Sequence, residues 1–541
     1  MMLRRDYRWS MIGGAAAFTA VFLFMTLAVA ALLSFDAGAS AAGILDAYTL
    51  RILRFTLYQA SLSALISILL GLPVALALAR QRSFPGRIWI IRLLAVPMGL
   101  PAIVGALGII AIWGRQGVLN TLLLSLGSEQ PFSIYGLSGI LVAHVFFNLP
   151  LAVRLMLAGL ERIPSEYWRM ASSLGMGSLS VLRFIEWPAV ARLIPGIAGL
   201  IFMLCATSFT LVLLLGGGPA ATTLEVAIYQ ALRFDFDPQR AIALSLMQIT
   251  LTAVLLSLLA LLPSQDAEIA SLGRHVRRFD SRGVVARLWD GTAIVLVVLL
   301  VGLPLAAVTV SGLSADIIRL VSAPVFFRAA TTSLLIALLS GTFAVLCCMA
   351  LIGARQAIGS KRKAEASLRF LSVVYGAGAS LVLLVPPVVL GSGWFLLLRP
   401  FGDVSVFAPL LVAVINMLMA LPLVMRVLEP AVAIHNARTG RLSTSLGVSG
   451  LSRLRFIDLP VLWRPLAMAM SFAMALSLGD LGAVALFGSE NFVTLPWLVY
   501  SNMGSYRTND AAGYAFILGV VCLLLAAGGV PGTAQSSRER A

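Results

Sequence analysis

Few side chains in this 541-residue chain are of the kinds that carry out chemistry, and those present do not assemble into a set. His144, His275 and His435 are scattered and share no metal-ligand spacing. Cys205, Cys347, Cys348 and Cys522 lie inside apolar runs, where cysteine acts as a small hydrophobe, and their spacing suits neither a disulfide framework nor a metal. No Ser-His-Asp or Cys-His arrangement can be argued. A phosphate-gripping loop needs Gly-Lys followed by Ser or Thr, yet the two lysines, Lys361 and Lys363, follow Ser360 and Arg362. The expectation is a chain with no catalytic residue, no bound cofactor and no metal. If ATP drives its work, hydrolysis belongs to separate subunits.

What remains is a small number of polar residues in apolar segments. Asp480 lies in SLGDLG. Counted from Val461 at ~1.5 Å per residue it sits ~28 Å along a helix. An acid in a membrane span pairs internally, lines water or serves function; drawing in a cationic solute, internal pairing and exposure at the rim are the expected alternatives. Ser208 stands 272 residues earlier. His144 and Asn148 are one helical turn apart, and Asn416 is a third such residue. Hydrogen bonds to neighbouring helices are their ordinary role, contact with a solute the alternative.

The elements that position these residues are organised around a stretch found twice. Arg169 to Pro188 reads RMASSLGMGSLSVLRFIEWP, and Arg441 to Pro460 reads RLSTSLGVSGLSRLRFIDLP. At the same offset of 272, Pro150 matches Pro422, Arg154 matches Arg426, Arg192 matches Arg464 and Gly216 matches Gly488. Ser165 and Asn436 are expected N-caps of a short helix in each copy. Gly175 and Gly447 are expected to close those helices in the left-handed conformation.

Composition sets the surroundings. The chain is 60% hydrophobic and 11% charged, which calls for an all-α polytopic membrane protein. Its net charge of +16 sits in short loops and not on a basic face, so nucleic-acid binding is excluded and membrane lipid is the partner. Twelve spans are expected, at roughly 11–33, 56–79, 88–113, 136–160, 190–215, 240–262, 291–312, 330–353, 371–397, 407–428, 461–487 and 512–530. Pro97, Pro101, Pro386 and Pro387 are expected to kink or interrupt spans three and nine. The basic start before span one and AGASAAG after it resemble a signal peptide, but an apolar run of over 20 residues is long for one, so a retained helix is expected. Only nine of the 39 Lys and Arg fall on one side of the resulting topology. The crowded side, with both termini and both copies of the repeated loop, is therefore expected in the cytoplasm. The domain reading is a first helix and periplasmic loop (1–55), a first repeat (56–262), a cytoplasmic linker (263–290), a seventh helix and loop (291–329), a second repeat (330–530) and a tail (531–541).

The spacing Gly, nine residues, Ile, one residue, Leu, Pro resembles the loop of ABC-importer permeases named for its Glu-Ala-Ala start. Gly447, Ile457, Leu459 and Pro460 fit all four positions; Gly175, Ile185 and Pro188 fit three, with Trp187 for Leu. Arg169 and Arg441 stand at the Glu position, and Met170-Ala171 and Leu442-Ser443 at the alanines, so the glutamate's role does not carry over. Five stretches are similar to permeases of thiamine importers: GRQGVLNTLL (114–123), YGLSGILVAHVFFNLPLAVRLML (135–157), GGGPAATTLEVAIYQAL (216–232), LGDLGAVALFG (478–488) and SYRTNDAA (505–512). The resemblance implies two six-helix type I ABC-permease repeats in an inner membrane. It also implies two copies of a cytoplasmic ABC ATPase docked on the two loops and a periplasmic thiamine-binding protein. The same architecture serving ferric ion or another small solute, and an ion-coupled secondary transporter, are the alternative expectations.

Overall fold

The computed structural model describes all residues except 1, 36–45, 83, 128–129, 262–282, 360–365, 449, 490–491 and 529–541. The expected linker 263–290 falls mostly outside the described residues; its last part does not, since a helix begins at Val284 and Asp290 within it is buried. The tail 531–541 also lies outside them. The described residues form helices joined by turns and short loops, with no strand among them. Among the described residues eleven helices are long and apolar enough to cross a membrane, and one bent pair, taken as a single span, makes a twelfth.

The breaks follow the prolines. The expected span 88–113 is three pieces, Arg87–Leu93, Val96–Gly99 and Ala102–Trp113. Leu100 is extended because the proline that follows disfavours the helical region, and Pro101 then opens the next helix. Span nine divides the same way: Val385 is extended, Pro386 precedes the helix Pro387–Leu398, and Pro387 takes its first position. Span five is Ser178–Ala191 and Ile194–Ala206, bent by 50°. It stops before Ser208, and a separate short helix, Thr210–Leu215, follows. Span eleven, Leu459–Gly479, stops at Asp480 in the same manner, with Gly482–Phe487 after it.

The chain forms two compact units, residues 1–44, 228–249 and 316–541 in one, and 45–227 and 250–315 in the other. The helix that opens each sequence half thus belongs to the other half's unit. Met2–Phe35 packs on Pro324–Gly359 and Pro387–Leu398, whereas Val284–Ser314 packs on Ala102–Trp113 and Ala47–Arg80. Glycine permits both close approaches. A Cβ on Gly393 would lie 2.4 Å from the Ala28 carbonyl oxygen, and one on Gly108 2.4 Å from that of Pro304.

Candidate functional site

The first copy of the repeated loop begins where Pro164 ends one helix and starts another. The span Leu137–Glu161 stops, and Ser165–Ser173 follows. Ser165 is not the N-cap: Pro164 occupies that place, and the Ser165 hydroxyl donates instead to Glu166 Oε1 at 3.0 Å. That bond and the backbone N–H of Glu166 hold the exposed Glu166 carboxyl below its ordinary pKa, the backbone contribution being the larger.

The second copy has no separate short helix. Asn436 stands where the first copy has Pro164, keeps its N–H, and the helix Ala408–Ser445 runs unbroken through the position. Asn436 is an interior residue, bonded to Gln356 and accepting from Arg453 Nη2 at 2.6 Å.

Both copies end alike. Gly175 has φ +61° and Gly447 φ +65°. Met176 N donates to the Ala171 carbonyl at 3.0 Å, and Val448 N to the Ser443 carbonyl at 3.1 Å. These are the same helix-closing bond, made possible by a left-handed glycine. Each loop then passes through one five-residue π-helical turn, Leu182–Glu186 and Leu454–Asp458, before the next helix. Pro188 and Pro460 sit exposed in the first turn of that helix.

The motif side chains divide by direction. Ala171 is buried with Trp168 and Val181, and Ile185 packs against them, so these residues build the first loop's own small core. Ile457 in the second loop is half-buried and Leu459 exposed. Arg169 points outward; the side chain of Arg441 lies outside the described residues. Beside the terminal glycines, Met170 and Leu174 are 55% and 70% exposed, and Leu442 and Leu446, at the same places, 62% and 66%. Each copy thus bares two apolar residues one turn apart, outside the spans.

The acid of each copy faces inward, a role the composition of the motif does not announce. Glu186 is fully buried, with Arg80 Nη2 at 4.0 Å. Arg80 Nη1 also pairs with Asp290 at 2.9 Å, and Gln81 Nε2 donates to Asp290 Oδ2 at 3.0 Å. In the second copy Asp458 Oδ1 lies 2.8 Å from His435 Nε2 and 3.5 Å from Arg453 Nε. Sequence reading missed Arg80, Asp290 and His435, whose partners lie 23 to 210 residues away in the chain.

The polar residues of the spans hydrogen-bond to neighbouring helices. His144 Nδ1 lies 3.0 Å from Ser63 Oγ, and Asn148 Nδ2 donates to Cys205 Sγ at 3.3 Å. Asn416 Nδ2 donates to the Ser477 carbonyl at 3.3 Å and to its hydroxyl at 3.0 Å. Asp480 accepts from Gly482 N at 3.0 Å and Ala483 N at 3.3 Å, which opens the short helix after the break. Ser208 sits in the matching break, its N–H bonded to the Cys205 carbonyl at 3.4 Å.

Comparison with known proteins places this arrangement. Residues 67–264 match the family model for the inner membrane component of binding-protein-dependent transport systems. The thiamine transport system permease protein of Brucella abortus is 48% identical over 95% of this chain and 93% of its own length. That of Escherichia coli is 45% identical, with 89% and 88% covered, and that of Haemophilus influenzae 35%, with 89% and 88%. At 48% identity over 95% of its length, the chain belongs to the family of these thiamine transport system permease proteins, multi-pass inner-membrane components of binding-protein-dependent transport.

Proposed function

We propose that this chain is the translocation subunit that carries thiamine across the inner membrane, powered by ATP hydrolysed on two copies of a cytoplasmic ABC ATPase. The observation that carries the reading is the pair of loops, each ended by a left-handed glycine and each baring two apolar side chains at matching places. One ATPase subunit docks on each loop: Met170 and Leu174, and Leu442 and Leu446, enter its groove. Arg169 and Arg441, where the family has an acid, call for an acidic or carbonyl-rich counterpart on that ATPase. The excess of Lys and Arg in the loops on one side favours cytoplasmic loops and cytoplasmic termini. A periplasmic thiamine-binding protein delivers solute to the opposite face. ATP is used by the partner subunits, and this chain holds no cofactor.

In this mechanism closure of the ATPase pair moves both loops. The first transmits through the buried Arg80, Glu186 and Asp290, the second through Asp458 and His435. The breaks at Ser208 and Asp480 give each unit a joint where a span ends and a short helix follows. The test is reconstitution of the chain with its co-purified ATPase and binding protein in proteoliposomes. ATP hydrolysis should rise with thiamine or its phosphates and not with ferric ion; stimulation by ferric ion alone would overturn the thiamine reading.

A further inference from the structure

The helix Ala47–Arg80 carries a polar stripe through the interior of its unit. Thr56, Gln59, Ser63 and Ser67 recur every three or four residues, hence on one face, and all are 0% exposed. Neighbouring elements satisfy part of it. Thr56 Oγ1 accepts from Leu224 N at 3.1 Å, Gln59 Nε2 donates to the Cys205 carbonyl at 2.9 Å, and Ser63 Oγ meets His144 Nδ1 at 3.0 Å. Among the described residues no hydrogen-bond partner meets the remaining atoms: Gln59 Oε1, Ser67 Oγ, His144 Nε2, Thr223 Oγ1 and both carboxylate oxygens of Glu225. Glu225 is itself wholly buried. The bond from Leu224 N to Thr56 Oγ1 brings the backbone between Thr223 and Glu225 against the stripe.

The other unit is an internal control. Ser333 stands in the place of Thr56 and accepts from Leu495 N at 2.8 Å, the same bond between the same elements. There Ile336 and Ala344 replace Gln59 and Ser67, and Pro496 replaces Glu225. Thr494, in the place of Thr223, accepts from Trp497 N at 3.4 Å, and Asn416, in the place of His144, is bonded to Ser477. The fold is thus built once without the orphaned atoms, so the bundle does not require them. A buried carboxylate without donors is costly, and retaining one calls for a positively charged or proton-donating visitor.

We propose that Glu225, with Gln59 and Thr223, forms a recognition site for an organic cation bearing N–H donors. The carboxylate and the Gln59 carbonyl are acceptors only, so their complement is a ligand that brings both N–H donors and positive charge, whether or not on the same group. Asp480, the acid that stands out in the sequence, is already occupied by two backbone N–H groups and is not the equivalent group. The proposal rests on the thiamine reading, since thiamine is such a cation.

The test uses the permease–ATPase complex in proteoliposomes with binding protein outside, and the concentration dependence of thiamine uptake. Glu225→Gln preserves shape and removes charge. In assembled complexes it should raise the half-saturating thiamine concentration, or lower the rate, by about tenfold or more, the loss of a charge-assisted contact. Unchanged uptake by this variant overturns the proposal, whereas failure of the unaltered chain to take up thiamine overturns the function on which it rests. A second measurement is thermal unfolding of the detergent-solubilised permease alone, with thiamine chloride or sodium chloride. Stabilisation by thiamine that is lost in Gln59→Leu and Thr223→Val supports the site. An equal shift with sodium chloride, or a thiamine shift that survives both changes, overturns it.

Discussion

Replacing Gly175 and Gly447 by alanine tests how the loops do their work. Both glycines hold φ near +60°, and a Cβ built on either meets no atom within 4 Å. Any penalty is therefore conformational, since alanine collides with nothing. A side chain in the left-handed region costs roughly 1–2 kcal/mol. Each substitution should shift the loop's equilibrium away from its closed form by about 5- to 30-fold. The two glycines lie in different compact units, so the effects should add to ~2–4 kcal/mol in the double variant. The bonds at risk are those from Met176 N to the Ala171 carbonyl and from Val448 N to the Ser443 carbonyl. Without them the last turn frays, and Met170, Leu174, Leu442 and Leu446 lose their fixed positions.

The assay is thiamine-stimulated ATP hydrolysis in proteoliposomes, with retention of the ATPase on size exclusion as the second readout. Each single alanine variant should lose several-fold of the stimulated rate, and the double variant nearly all of it, while membrane insertion is kept. Glycine-to-asparagine variants should retain more activity, because asparagine tolerates the left-handed region. Leucine should behave as alanine does, because the space is open. Full coupling in the double alanine variant would refute the docking account; a leucine effect far beyond alanine's would refute the conformational one.

Three further outcomes are expected. Arg80→Ala removes the cation that pairs with the buried carboxylates of Asp290 and Glu186, and should lower stability by roughly 3–5 kcal/mol, read as thermal unfolding of the purified permease; a loss under about 1 kcal/mol would show that this pairing is not a tie. Asp480→Asn keeps a cap acceptor and should leave stability nearly unchanged, whereas Asp480→Ala should cost about 0.5–2 kcal/mol; abolished uptake in a stable Asp480→Asn permease would show that its charge does more than cap. Gly108→Ala and Gly393→Ala drive a Cβ into a backbone carbonyl and should each cost about 1–3 kcal/mol, so native thermal stability in both would refute the close helix contacts.

What the sequence disclosed was whatever local chemistry dictates. The glycines end their helices in the left-handed conformation. The proline pairs interrupt spans three and nine where they stand. His144, Asn148 and Asn416 reach neighbouring helices, as buried polar groups in a bundle must. Partner choice was not legible. Spans such as Val284–Ser314 are apolar on nearly every side, so periodicity does not say which neighbour they pack on, and the placement of Met2–Phe35 and Val284–Ser314 in the units opposite to their sequence halves leaves no trace in composition. One misreading had a local cause: Asn436 resembles an N-cap, but without a proline at that position nothing stops the preceding helix. Glu225 escaped notice because an acid just outside a span reads as a solvated loop residue until its burial is seen.

The two repeats therefore resemble each other from outside and differ within. Facing the solvent, each loop shows a left-handed glycine and the same pair of bare apolar side chains. The proposed docking of one ATPase subunit on each loop would require that sameness. Facing inward, one loop is tied by a buried arginine between two carboxylates and the other by a histidine and an arginine on one aspartate. The stripe beside Glu225 has orphaned acceptors in one unit and aliphatic replacements in the other. A single small cation needs only one carboxylate, and a second unpaired acid would add a desolvation cost with no ligand to offset it. Fusing the repeats into one chain would make the proposed division possible, since each half could keep a docking surface while only one carried the recognition chemistry.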